Sequence, residues 1–294
     1  MLMINYSYPL YRPPAEANNI ILQVTHGCSY NHCSFCSMYK SKKFEIKPLS
    51  EIYKEIDILA AHDPEAKRVF LADGDALCLE TSHLLDILKY LKQSFIKLNR
   101  VSLYATAQNI LEKSDEELKF LREHGLTLLY FGIETGNEAL LKKITKGVTA
   151  PQMIEALNKT AKAKIKSSAT VILGIGGEAF TQEHIQDTAS LINQTQVTYL
   201  STLQLGLDED IKHSFYKHFD NFKMLSDFQV LDEQKRFLEA LSPKNRVIFR
   251  SNHASNALHL AGTFPKDKDR LIKKVQEAID LGENALVPQI FRGF

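Results

Sequence analysis

The sequence predicts an α/β fold organised around parallel strands. Two observations carry that expectation. Apolar runs of strand length alternate with amphipathic stretches of helix length from residue 19 to residue 205, and parallel neighbours need the crossover that a helix supplies. The chain also has the substance for a large core: 294 residues, 44% of them hydrophobic, with only 13 Gly and 9 Pro. Disordered and fibrous classes are thereby excluded.

The elements follow in order. Residues 19–25 (NIILQVT) read as a buried strand and residues 49–61 as an amphipathic helix. A second strand at 68–71 runs into a turn at 73–75, and a helix follows over 82–92. Residues 101–106 are the third strand. The next helix covers 114–124, with Ser114 as N-cap and Glu117 three positions on, a capping-box pattern. Residues 127–133 are the fourth strand, followed by a helix after Gly136 and another over 150–163. The fifth strand is 168–174, the next helix 182–192 and the sixth strand 197–205. From Asp208 the rhythm changes: a long helical stretch over 211–240, a strand-like 246–249, loops over 250–262 and a final helix over 266–281. The chain thus divides into a lead-in (1–18), a core (19–207) and an extension that packs on the core (208–294). An open doubly wound sheet and a barrel or partial barrel both satisfy this pattern.

Lys and Arg number 36 against 35 Asp and Glu, a near-neutral balance that argues against a dominant nucleic-acid surface. No apolar run reaches the ~18 residues of a membrane span. Residues 1–15 lack a basic region followed by an apolar stretch, so they do not read as a signal peptide. The expected location is cytoplasmic.

Three of the four cysteines fall within nine residues, Cys28, Cys33 and Cys36, while Cys78 lies apart in an apolar context. Clustered thiols in such a chain suggest a metal site rather than a disulfide framework. Three readings stay open on the residues alone. The cysteines are small core residues, or a structural zinc site completed by His26 or His32, or three corners of a 4Fe–4S cubane whose fourth iron is left open.

The segment from Thr25 to Tyr39 resembles the radical S-adenosylmethionine (SAM) superfamily, whose usual Cys-x3-Cys-x2-Cys signature follows the first strand of a partial (β/α)6 TIM-type barrel. Here the spacing is Cys-x4-Cys-x2-Cys, so the loop geometry differs from the common one. The resemblance covers residues 20–205 and implies that Cys28, Cys33 and Cys36 bind a 4Fe–4S cluster. Phe35, before the last cysteine, matches an aromatic near the adenine. Asp73, Gly74 and Asp75 resemble the turn that holds the amino end of SAM, and Gly132-Ile133-Glu134-Thr135-Gly136 resembles a motif that sets Glu134 against the ligand. Gly174, Gly176 and Gly177 resemble the adenine-lining turn, out of the strict family register. Residues 102–108 are expected to reach the ribose, with Gln108 and Asn109 as candidates.

The implied activity is reductive cleavage of SAM to a 5′-deoxyadenosyl radical that abstracts hydrogen from an unidentified substrate. The implied partners are that substrate and an electron donor such as flavodoxin or ferredoxin. A single-cluster enzyme is expected, since Cys78 alone remains outside the motif. The alternative is a non-catalytic zinc or iron–sulfur protein. Arg250, Asn252, His253 and Asn256 crowd into seven residues; they form either a solvated loop that caps the next helix or part of the substrate pocket. In the second case His253 is the candidate catalytic residue, able to move a proton near neutral pH.

Overall fold

The computed structural model describes residues 4–293, so residues 1–3 of the expected lead-in and Phe294 of the expected extension lie outside the described residues. Two compact units make up the chain. The first comprises Met1–Asn31, Met38–Phe131 and Lys159–Ser167, and the second His32–Ser37, Gly132–Asn158 and Ser168–Phe294.

In the first unit the elements are β1 (Ile20–Gln23), β2 (Thr25–His26), β3 (Glu45–Ile46), α1 (Leu49–His62), β4 (Arg68–Ala72), α2 (Thr81–Ser94), β5 (Arg100–Ala105), α3 (Ala107–Glu112), α4 (Asp115–Glu123) and most of β6 (Leu126–Glu134). β1, β4, β5 and β6 pair in that order, each parallel to the next. β4 is apolar and buried from Val69 to Ala72. The helices seal this layer with one stripe each, Ile52 and Ile56 on α1 and Leu84, Ile87, Leu88 and Leu91 on α2. The expected first strand breaks at Val24. There the N–H donates to Ala72 O at 2.6 Å and the carbonyl accepts from Lys47 N, and the chain then leaves to pair with β3. The Ser114–Glu117 capping box forms as predicted. A second box, Thr106 with Asn109, starts the short α3, which six residues of weak pattern do not announce.

The second unit carries the end of β6, α5 (Glu138–Lys143), most of α6 (Ala150–Lys162), β7 (Lys166–Leu173), α7 (Gly177–Asn193), β8 (Tyr199–Gln204), α8 (Glu209–Tyr216), α9 (Asp227–Ala240), β9 (Val247–Ser251), β10 (Leu260–Phe264) and α10 (Lys268–Leu281). β7, β8 and β9 are parallel, and β10 closes this run antiparallel to β9. Two expectations are corrected here. The stretch 211–240 is two helices, because Lys223 O accepts from Glu178 N and Ser226 caps a new helix with Gln229. Phe215, Phe219 and Phe222 have helical spacing, which explains the continuous pattern, but they fold over one another with ring centroids 4.9–5.0 Å apart. The span 250–262 is not all loop: β10 begins at Leu260, its buried side chains Leu260 and Phe264 alternating with exposed Ala261 and half-exposed Thr263. Among the described residues no helix is long and apolar enough to cross a membrane.

Candidate functional site

Cys28 follows β2 on a loop held by the turn after β4. Gly74 N donates to Gly27 O at 3.0 Å, and Gly27 N donates to Asp73 Oδ2 at 2.9 Å. A Cβ on Gly74 would stand 2.7 Å from Cys28 Cβ and 3.0 Å from the Tyr39 ring, so only glycine lets the turn approach this closely. Both neighbouring aspartates are fully buried. Asp75 grips the loop one residue past the cysteine, accepting from Ser29 N at 2.9 Å and from Ser29 Oγ. Burial pushes its carboxyl above the usual carboxylate range, against the pull of the Ser29 bonds and the Cys28 thiol. Asp73 Oδ2 accepts from Gln23 Nε2 at 3.0 Å and from Lys42 Nζ at 2.9 Å as well as from Gly27. Asp73 Oδ1 is buried with no hydrogen-bond partner among the described residues. An unmatched buried acceptor costs about 1–3 kcal/mol, and it marks a place where a ligand donor fits.

Cys78 ends the short turn that begins at Ala76. Burial, then the charge of Asp75, pushes its thiol up to about 12. It therefore stays protonated near neutral pH, whereas metal ligation takes the thiolate.

Cys33, Phe35 and Cys36 lie on residues 32–37, moored to the end of α5 and the residue that follows it. Ser34 N donates to Ile144 O at 3.0 Å, and Thr145 Oγ1 donates to His32 O at 2.6 Å. The next residue, Lys146, donates to Glu134 Oε1 at 2.8 Å and lies 5.9 Å from the Phe35 ring centroid. Burial works against its charge, yet Glu134, with Cys33 and Cys36 adding to it, holds the Lys146 pKa above the ordinary lysine value. A fixed ammonium thus sits at the cysteine loop. Glu134 adopts a left-handed backbone, φ +62°, unusual for a residue with a side chain; strain of this kind clusters at ligand sites. Glu134 was legible from the sequence and Lys146 was not, since nothing local separates it from the other lysines.

The remaining expected residues fall as follows. Gly174, φ +78°, donates its N–H to Glu233 Oε1 at 2.6 Å, and Thr181 Oγ1 also donates to this carboxylate. Glu233 is fully buried on α9, and sequence reasoning had placed it only within a long helix. Gly177, φ +59°, has no room for a Cβ, which would meet Lys223 O at 2.7 Å; Gly176 precedes it as the N-cap of α7. Asn109 is committed to capping α3, while Gln108 beside it is half-buried. Asn256 is buried and structural, bonding Gln204 N, Thr202 O and Ser251 Oγ. His253 Nδ1 accepts from Ser255 N at 3.2 Å, and burial lowers its pKa, which favours the neutral ring.

A sequence model described as the Radical SAM superfamily matches residues 22–192. An uncharacterized methyltransferase of Pyrococcus horikoshii is 24% identical over 181 residues, covering 61% of this chain and 38% of that protein. A tRNA-2-methylthio-N(6)-dimethylallyladenosine synthase of Methylacidiphilum infernorum is 25% identical over 188 residues, 60% of this chain and 39% of its own length. This chain therefore spans well under half of either relative. Among solved structures, coproporphyrinogen III oxidase (HemN) from Escherichia coli, described as a radical SAM enzyme, aligns with a TM-score of 0.57 at 14% identity, over 75% of this chain and 51% of that one. At that identity the likeness shows the fold, in keeping with the expected α/β partial barrel.

Proposed function

This chain belongs to the radical SAM superfamily, and we propose that it holds one 4Fe–4S cluster through Cys28, Cys33 and Cys36 and binds SAM at its open iron. When bound, the reduced cluster and SAM together supply a 5′-deoxyadenosyl radical that takes hydrogen from a substrate.

The observation that carries this reading is the Lys146–Glu134 pair at the loop of Cys33 and Cys36. A structural metal loop has no need of a buried ion pair beside it, whereas a carboxylate ligand needs a fixed ammonium. Lys146 is accordingly assigned to the SAM carboxylate, and Glu134 orients it while facing the ribose or methionine end. Asp73 Oδ1, the buried acceptor without a partner, is assigned to the SAM ammonium. Gly74 and Asp75 keep the turn against Cys28 and Ser29. Phe35, Gln108 and the turn from Gly174 to Gly177 are assigned to the nucleoside, with Glu233 fixing that turn from behind. His253 is the candidate proton carrier toward the substrate. An electron donor such as flavodoxin or ferredoxin completes the scheme. The relatives named above carry different reactions in their names, so the support reaches radical initiation and stops short of the reaction class.

The test is anaerobic reconstitution, then SAM and dithionite, with 5′-deoxyadenosine measured. Its formation in wild type and its loss in Cys33→Ala support the reading. A reconstituted protein that binds SAM no better than Lys146→Met overturns the assignment of the carboxylate.

A further inference from the structure

The site described so far leaves one face of β7, β8 and β9 without a task. The other face of these strands is closed by α9: Leu173 packs with Leu225 and Val230, and Thr202 Oγ1 and Ser251 Oγ both donate to Gln234 Oε1. Strand side chains alternate, so Thr170, Ile172, Ser201, Leu203 and Arg250 point away from that helix, and each is half-exposed or exposed.

The register stacks these residues in rows. Ile172 is level with Leu203, and Ile172 packs against the same apolar cluster as Phe35 of the cysteine loop. Two residues earlier along the strands, about 7 Å away, Thr170 is level with Ser201 and Ser201 with Arg250. Thr170, Ser201 and Arg250 thus share one row of the sheet, on strands about 4.8 Å apart and one row removed from Ile172.

The two hydroxyls take no part in the hydrogen bonding of the fold. Among the described residues Thr170 and Ser201 make no side-chain hydrogen bond, whereas Thr202 and Ser251 on the helix side are both bonded. Arg250 Nη1 donates to Phe249 O at 2.7 Å and to Gly262 O of β10 at 3.3 Å, which anchors one nitrogen of the exposed guanidinium on the β10 side and leaves Nε and Nη2 to face a ligand. Among the described residues no carboxylate pairs with it.

We propose that the row Thr170–Ser201–Arg250 is the subsite for a carboxylate of the substrate. Arginine's planar fork matches a carboxylate in two parallel bonds, and the hydroxyls supply further donors to the same oxygens. One guanidinium with no second cation in the row balances a single negative charge, which favours a carboxylate over a phosphate dianion. The inference rests on the proposed function only in calling the ligand a substrate.

The experiment uses the full chain without cluster or SAM, and propionate as the probe, followed by ligand-detected NMR. Propionamide serves as the uncharged control and inorganic phosphate as the competing anion. Wild type is expected to bind propionate with a dissociation constant of about 1–10 mM and propionamide much more weakly. Arg250→Met should weaken propionate at least ~10-fold, Arg250→Lys less, and the Thr170→Val, Ser201→Ala pair about 3- to 10-fold. Thermal melts establish that each variant is folded, and the hydroxyl pair carries the test if Arg250→Met is not. Equal propionate binding by wild type and these variants overturns the proposal, as does propionamide binding as well as propionate. Phosphate binding more tightly than propionate overturns the carboxylate assignment. A chain that takes up no iron yet binds propionate through Arg250 sinks the proposed function and leaves this subsite standing; one that cleaves SAM but ignores Arg250 does the reverse.

Discussion

Lys146→Met is the most informative single substitution. The side chain is near-isosteric and removes only the charge, from a pair whose partners are 14% and 10% exposed. Two effects follow and can be separated. Glu134 is left without its cation in a mostly buried place. Breaking a fully buried pair costs about 3–5 kcal/mol, and the residual exposure here reduces that to about 1–3 kcal/mol of stability. SAM loses a charge-assisted hydrogen bond to its carboxylate, about 1.5–3 kcal/mol, or roughly 10- to 150-fold in affinity. The assay is calorimetric titration of SAM into anaerobically reconstituted protein, with iron counted in the same samples and thermal melts alongside. Glu134→Gln is the control, because it keeps the ammonium and an acceptor for it; its loss of SAM affinity should be smaller. Normal iron content with SAM affinity within about twofold of wild type would show that Lys146 is a structural cation.

Cys78→Ser should retain full iron, since a thiol pushed up to about 12 is not a thiolate near neutral pH; loss of the cluster in that variant would make Cys78 a ligand. Asp75→Ala removes both bonds to Ser29 and should speed iron release to a chelator several-fold; an unchanged rate would mean the Cys28 loop needs no clamp. Arg292 lowers the Asp227 carboxyl through a two-bonded pair at 2.7 and 2.8 Å. Because the folded pKa lies below the ordinary 3.8, this stabilisation is complete above that value and disappears as pH falls through the depressed one. Urea melts of wild type and Asp227→Asn should therefore differ by about 1.5–3 kcal/mol near pH 7, with the gap narrowing as the pH is lowered below 3.8; a gap that does not narrow in acid contradicts the assignment.

How much of this was legible depends on how local each signal is. The helix from Ser114 announced itself because a capping box is written in four consecutive residues. β4 was readable because its residues from Val69 to Ala72 are all apolar, and β7 because small and apolar residues run from Ala169 to Leu173 up to a glycine turn. The Phe215, Phe219 and Phe222 spacing misled, since a helical period also suits rings that fold over one another once Ser226 starts a new helix. β10 was hidden because Leu260-Ala261-Gly262-Thr263-Phe264 has a weak strand signature until β9 lies beside it. At the site, Cys28, Cys33, Cys36 and Glu134 stood out by motif. Lys146, Glu233 and the Thr170–Ser201–Arg250 row are defined by contact, burial and register, which no stretch of sequence displays. Asp75 was visible as a residue, but its engagement with Ser29 was not.

The central claim is that Cys28, Cys33 and Cys36 hold a single cluster at which SAM is cleaved. Iron, sulfide and zinc measured on anaerobically reconstituted wild type and on the Cys28→Ala, Cys33→Ala, Cys36→Ala triple variant test it most directly, with dithionite-dependent 5′-deoxyadenosine followed in the same tubes. Wild type is expected to carry ~4 iron and ~4 sulfide per chain and to form SAM-derived 5′-deoxyadenosine, and the triple variant to show none of these. Tightly held zinc in place of iron, or iron that survives the loss of all three cysteines, would contradict it.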